Sequence, residues 1–429
     1  MKNKKQKLEL IAPAGNLEKM KTAFAFGADA VYLGIPDFSL RVRVNDFTMA
    51  DIAKAVAYAH ELKKKAYVTV NIFAHNDHLK KLPPHIKKLK AMGVDGIFVS
   101  DPGILAEVKK IWPKGKIVLS TQANCTNWQS AKFWLDQGIS RIILGRELGL
   151  KEVREIKQKL PKLELECFVH GALCMSYSGR CFLSKFFNDR DANLGDCSQP
   201  CRWKYQEDKS IFLKTEPHKE VIELVEEEHG SYILNSQDLC LIKRMPELID
   251  AGVSAFKIEG RAKSVYYLAN VVGVYRKAID LIQATKTLGK KEKAELDFLF
   301  SELEAKLYHR GYTEGFMFGA GKLAQNLDNS HKISDWEFCG QVVENKKIKK
   351  AEKEKKTILI RVHNSIKVGD EIEIVKPSYD IIKMKIEKLV DEKTGEEIKE
   401  AHGGGGEKSV LLAISETVPE YSVVRRLVK

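Results

Sequence analysis

Over about the first 280 residues, short uninterrupted apolar runs alternate with longer segments whose apolar positions recur at helical spacing. Eight runs read as strands covered on both faces: Leu8 to Ala12, Gly27 to Gly34, Ala66 to Asn71, Gly93 to Ser100, Lys116 to Thr121, Gly138 to Gly145, Leu163 to Val169 and Gly252 to Glu259. Four of them share one phrase, in which a Gly precedes a few small or polar residues and then a β-rich stretch, as in Gly27-Ala-Asp-Ala-Val-Tyr-Leu-Gly34. That is the pattern of a helix C-cap glycine feeding a buried strand. Asn16 to Phe26, Met49 to Lys64 and Gln129 to Gln137 read as amphipathic helices between strands. Eight such units predict an α/β fold, a (β/α)8 TIM-like barrel whose site lies at the C-terminal ends of the strands. A doubly wound open sheet is the competing topology, but no G-x-G-x-x-G follows the first strand.

The regular spacing fails once. About 85 residues separate the end of the seventh strand near His170 from the eighth near Ala255, which predicts a functional insertion over about 171–254. Lys286 to Tyr308 reads as a charged closing helix, followed by a Gly-rich stretch from Gly311 to Gly321. Beyond Asp335 the pattern changes to period-two alternation with hairpin turns, predicting a small C-terminal all-β barrel or sandwich. The chain is thus expected to divide into a catalytic barrel, 8–330, and a β-domain, 335–429.

Composition narrows the class. Of 429 residues 44% are hydrophobic and 30% charged, which excludes disordered and fibrous chains. The net charge is +13, of which residues 335–429 carry only +1, with 19 Lys and Arg against 18 Asp and Glu. The remaining +12 lies on the barrel and suits a phosphate-bearing partner. No apolar run reaches the roughly 18 residues needed to span a bilayer, and the start lacks the apolar stretch of a secretory signal. A cytoplasmic protein with no membrane partner is expected.

Candidate chemistry gathers at the strand ends and in the insertion. Asn71, Asp101, Gln122, Asn124, Arg146, Glu147, Glu166, His170, Glu259 and Arg261 would converge on one barrel mouth, with Glu166, His170 and Asn124 as candidate proton-transfer or orienting groups. Taken singly, each is as well explained as a helix cap or an ion-pair partner. Arg261 and Lys263, reading as the start of a helix, form a candidate anion site, and Arg41 and Arg43 a second one. Of eight cysteines, Cys174, Cys181, Cys197 and Cys201 fall within 28 positions. Four thiolates are the usual ligand set of a [4Fe-4S] cluster or a structural zinc, and the spacing does not choose between them. Cys240 could replace one ligand, whereas Cys125 and Cys339 read as core residues. There is no H-E-x-x-H and no G-x-S-x-G, and a Cys174–His170 pair is the only peptidase-like arrangement in view.

Phe168-Val-His-Gly-Ala-Leu-Cys-Met-Ser-Tyr-Ser-Gly-Arg-Cys-Phe-Leu-Ser184 resembles the signature of the collagenase-like peptidase family. Leu10-Ile-Ala-Pro-Ala-Gly-Asn16, Gly195-Asp-Cys-Ser-Gln-Pro-Cys-Arg-Trp203, Lys257-Ile-Glu-Gly-Arg261 and His309-Arg-Gly-Tyr-Thr-Glu-Gly-Phe316 agree with it, and the likeness runs from about residue 8 to the end. Within the family the chain is most similar to the prephenate-dependent tRNA uridine hydroxylases. The resemblance implies a [4Fe-4S] cluster, prephenate as co-substrate, tRNA as partner, no DNA, and oxygen-independent formation of 5-hydroxyuridine at the wobble position. It also implies Cys174, Cys181 and Cys197 as ligands, with Cys201 and Cys240 competing for the fourth place. Relatives acting on ribosomal RNA, and the older peptidase label, supply the alternatives.

Overall fold

The computed structural model describes residues 7–40, 47–203, 213–214, 221–222, 235–285, 288–319, 332, 334–347, 356–404 and 408–428. Eight parallel strands close into a ring: β1 (Glu9–Pro13), β2 (Ala30–Gly34), β3 (Lys65–Val70), β4 (Gly96–Val99), β5 (Ile117–Leu119), β6 (Arg141–Ile143), β7 (Glu164–Gly171) and β8 (Val253–Ile258). Each pairs with the next, and β8 also pairs with β1, Glu9 lying opposite Ala255, which completes the barrel. All eight lie where the apolar runs predicted them. Gly27, Gly93, Gly138 and Gly252, which open the repeated phrase, all adopt positive φ, the left-handed turn that releases a helix into a strand.

Helices α1 (Leu17–Ala25), α2 (Met49–Glu61), α3 (Asn76–Met92), α4 (Pro102–Ile111), α5 (Trp128–Asp136) and α6 (Leu150–Lys159) cover the first six strands. Alternation along the strands splits the apolar residues in two. Leu10, Val31, Val68 and Ile97 face the helices, whereas Ile11, Tyr32, Tyr67, Phe98, Val118 and Ile143 fill the barrel interior with Phe168. The interior also holds charge. Arg141 lies 2.8 Å from Glu9 and 3.3 Å from Glu166, and Lys257 Nζ lies 3.2 Å from the other oxygen of Glu166. Burial lowers the Lys257 ammonium to about 8, with Glu166 opposing that shift.

After β7 come α7 (Leu183–Asn188) and α8 (Met245–Asp250), then β8, α9 (Val265–Ala284) and α10 (Lys290–Lys306). A short strand, Asp238–Cys240, runs antiparallel to β7, placing Cys240 opposite His170. The described residues between 336 and 427 form a curled antiparallel sheet that packs on α9 and α10 through a buried arginine, Arg425.

Candidate functional site

The cysteine-bearing loop lies across the C-terminal mouth of the barrel, and the strand-end polar residues are what hold it there. β7 ends at Gly171, whose φ is 107° and where a Cβ would come within 2.6 Å of the Glu259 carbonyl oxygen, which leaves no room for a side chain. Cys174 follows. The chain then turns tightly at Tyr177-Ser-Gly-Arg180. The Ser178 amide and hydroxyl both donate to the Glu147 carboxylate beyond β6, the hydroxyl at 2.7 Å. Arg180 donates twice to the Gln122 carbonyl beyond β5, at 3.0 and 2.8 Å, with its guanidinium 5.0 Å from the Phe73 ring centre beyond β3. Asn193 donates to the Cys181 carbonyl and accepts at its own carbonyl from the Phe73 amide. Three strand ends therefore fix one loop.

The loop brings four thiols together. Burial pushes the Cys181 and Cys201 thiols up, and Cys174 and Cys197 push each of them further. The Leu183 N–H opposes this at Cys181. Gln199 N–H donates to Cys197 Sγ at 3.3 Å. Ser184 joins the two arms, its hydroxyl accepting from the Ser198 amide at 2.9 Å. Arg202 and Arg310 add positive charge beside Cys201. Among the described residues, no three His, Cys, Asp or Glu side chains stand close enough together to hold one metal ion.

Cys240 is elsewhere. It is fully buried in the barrel's outer core, its sulfur 3.8 Å from the Tyr275 hydroxyl, and burial raises its thiol to about 12. Of the two cysteines competing for the fourth place, only Cys201 shares the surroundings of Cys174 and Cys197.

The remaining candidates separate. Glu166 is fully buried beneath the mouth, bound to Arg141 and Lys257. His170 points outside the barrel into a cage of Tyr267, Tyr275 and Tyr312, with ring centres 5.4 to 5.9 Å away. No hydrogen bond joins it to Cys174, and its Nδ1 is buried without a hydrogen-bond partner among the described residues. Asn124 takes the left-handed conformation just beyond β5, its Oδ1 likewise buried without such a partner. Asp101 caps α4, accepting from the Ile104 amide. Arg261 does not open a helix, as its spacing suggested: α9 begins at Val265 under a Ser264 cap, because the Ser264 hydroxyl accepts from the Tyr267 amide. Instead the Arg261 guanidinium donates to Ser39 Oγ at 2.9 Å and to the Leu40 carbonyl. Arg41 and Arg43 lie outside the described residues. Lys263 sits 5.3 Å from the Tyr267 ring centre and helps hold the Asp238 carboxyl low, after the buried Arg310 pair.

Burial lowers His170 to about 3, against an unfolded value of about 6.5. The unfolded chain therefore takes up a proton first, and stability contributed by neutral His170 is lost as pH falls from about 6.5 towards 3. Denaturation of His170→Phe followed against pH is expected to show a shallower acid loss across that window, by up to about 1.4 kcal/mol per pH unit. Parallel curves for variant and wild type would refute this.

The fold and site define a TIM-like barrel with a thiol-rich loop fastened over its mouth and a β-domain behind it. The chain belongs to peptidase family U32: that family's description matches residues 15–326, and the family's C-terminal domain matches residues 334–425. A Haemophilus influenzae protein named tRNA hydroxylation protein P is 39% identical, over 93% of this chain and 92% of its own. The Escherichia coli protein of that name is 40% identical over 87% of each. The Escherichia coli 23S rRNA 5-hydroxycytidine C2501 synthase is 36% identical over 72% of this chain and 45% of its own length. No helix among the described residues is long and apolar enough to cross a membrane.

Proposed function

We propose that the chain is an RNA hydroxylase, and more narrowly a tRNA hydroxylase that converts a wobble uridine to 5-hydroxyuridine without molecular oxygen, drawing on prephenate and a [4Fe-4S] cluster. The RNA-hydroxylase reading rests on the names of relatives matching most of the chain. The observation that carries the finer reading is the group of Cys174, Cys181, Cys197 and Cys201 over the barrel mouth. A cube of four irons takes one thiolate per iron, which is the number of donors these four cysteines supply. The Leu183 amide favours the thiolate form of Cys181 that such a group needs, and the Gln199 amide donates to the Cys197 sulfur.

Bound there, a cluster would supply electron-transfer chemistry at the mouth. The chain's own residues do the rest. Ser178 with Glu147, and Arg180 with Gln122, fix the loop against the strand ends, so the reacting groups meet a rigid floor. Arg261, which grips Ser39 and the Leu40 carbonyl, is the described residue we assign to the carboxylates of a dicarboxylate such as prephenate. Among the described residues neutral His170 makes no hydrogen bond to Cys174, so that pair lends the peptidase alternative no support.

Nucleoside mass spectrometry of bulk tRNA and rRNA from a deletion strain tests this. The expected result is loss of 5-hydroxyuridine derivatives from tRNA, restored by the intact gene. Loss confined to ribosomal 5-hydroxycytidine would move the assignment to rRNA, and unchanged nucleosides in both would overturn it.

A further inference from the structure

The thiol loop carries an unusual surface. Nine large aromatic side chains are exposed among the described residues, and five of them, Tyr177, Phe182, Phe186, Phe187 and Trp203, fall between residues 177 and 203. Phe182 and Phe186 are 77% and 81% exposed, values at which an apolar ring gains nothing from folding. Three of the rings are grouped. Phe186 and Phe187 meet edge to face at 5.2 Å, and Phe187 lies 5.9 Å from Trp203. The Trp203 indole is held in place by its N–H donating to the Ser198 carbonyl at 3.1 Å. Phe182 directly follows Cys181, and Trp203 stands two residues beyond Cys201, so the rings border the four thiols.

Exposed apolar surface of this kind marks a partner. The barrel portion carries +12, and exposed Arg180 and Lys185, the latter paired with Asp189, lie on the same stretch of loop as the rings, which together match a polyanion that also offers flat π-faces. Single-stranded RNA has both, and its unstacked loop bases are commonly gripped by aromatic side chains beside cations.

We propose that Phe182, Phe186, Phe187 and Trp203 form a stacking platform for the unpaired bases of an RNA loop, seating the nucleotides that flank the target beside the thiol group. The platform rests on the RNA-hydroxylase reading and adds the surface by which the substrate is recognised. Its rings are positioning residues, since they grip neighbours of the reacting base and not the base itself. Because every base has a π-face, the platform selects single strands over duplexes more than one sequence over another.

The test uses the full chain, purified anaerobically, with a synthetic anticodon stem-loop and a duplex RNA of equal length as probes. Phe186→Ala/Phe187→Ala is expected to bind the stem-loop at least tenfold more weakly, with the loss falling on KM for tRNA and with iron content and melting temperature unchanged. Phe186→Trp/Phe187→Trp should bind within about twofold of wild type, and Phe186→Leu/Phe187→Leu should not recover. Wild-type affinity in the alanine variant, rescue by leucine equal to that by tryptophan, or a wild-type dimer that the alanine pair dissolves would overturn the platform while leaving the hydroxylase reading intact. A wild-type protein that binds no RNA and leaves cellular nucleosides unchanged would overturn both.

Discussion

On the proposed cluster, Cys201→Ser is expected to strip the protein of iron and of hydroxylase activity, whereas Cys240→Ala is expected to leave both in place. The two cysteines compete on spacing alone, since each follows Cys197 within the same insertion. Their surroundings differ. The Cys201 thiol is raised by Cys174 and Cys197 after burial, so its sulfur shares their space. That of Cys240 is enclosed by core residues and lies 3.8 Å from the Tyr275 hydroxyl, which donates its proton to the Val169 carbonyl. Removing a ligand from a four-thiolate site leaves one iron without its protein donor, and activity should fall by at least two orders of magnitude. Removing the Cys240 sulfur leaves only a small apolar void, costing about 1 kcal/mol. Iron and sulfide analysis of anaerobically purified variants, with nucleoside analysis of complemented strains, reads both effects. A Cys240→Ala protein that loses its iron while Cys201→Ser retains it would reverse the ligand assignment.

The barrel was legible because parallel strands buried on both faces leave continuous apolar runs, and because Gly27, Gly93, Gly138 and Gly252 mark the turns that feed them. The loop's candidate ligands were legible as a cluster of cysteines among small and polar neighbours. What spacing could not convey was direction. His170 and Glu166 both lie on β7, yet one faces the tyrosines outside and the other the salt-bridged interior, and only the closed ring settles which. The anchors were in view as strand-end polar residues. Glu147 and Gln122 become intelligible once Ser178 and Arg180 are seen to bind them, and the Ser-Gly turn between those two was the signal available. The rings of Phe182, Phe186 and Phe187 carry no mark in the sequence that they would be exposed, since aromatic residues are ordinarily buried. Arg261 was misplaced for a related reason, since the Ser264 cap three residues later is the true helix start.

Arg425→Leu is expected to destabilise the protein by about 3 to 5 kcal/mol. Arg425 is wholly enclosed where the β-domain meets the barrel helices, and its guanidinium reaches both sides of the joint. It lies 2.5 Å from Glu302 of α10 and 2.6 Å from Glu373 of the sheet, and donates to Asn270 Oδ1 of α9 at 3.0 Å. Tyr379 donates to the same Asn270 oxygen, at 3.2 Å. Taking away the cation strands Glu302 and Glu373 in a site with little water, and the desolvation that the pair had offset is then uncompensated. Lys306, 3.4 Å from Glu373, gives Glu373 partial relief, so Glu302 bears most of the cost. Adding Glu302→Gln to Arg425→Leu should therefore recover at least a third of the loss, even though it removes a further native contact. Urea denaturation monitored by fluorescence in a background whose other four tryptophans are replaced by Phe reads the joint, because the Trp336 ring lies 5.4 Å from the Arg425 guanidinium. A single variant that unfolds at the wild-type midpoint, or a double variant weaker than the single, would show that the joint does not depend on this charge.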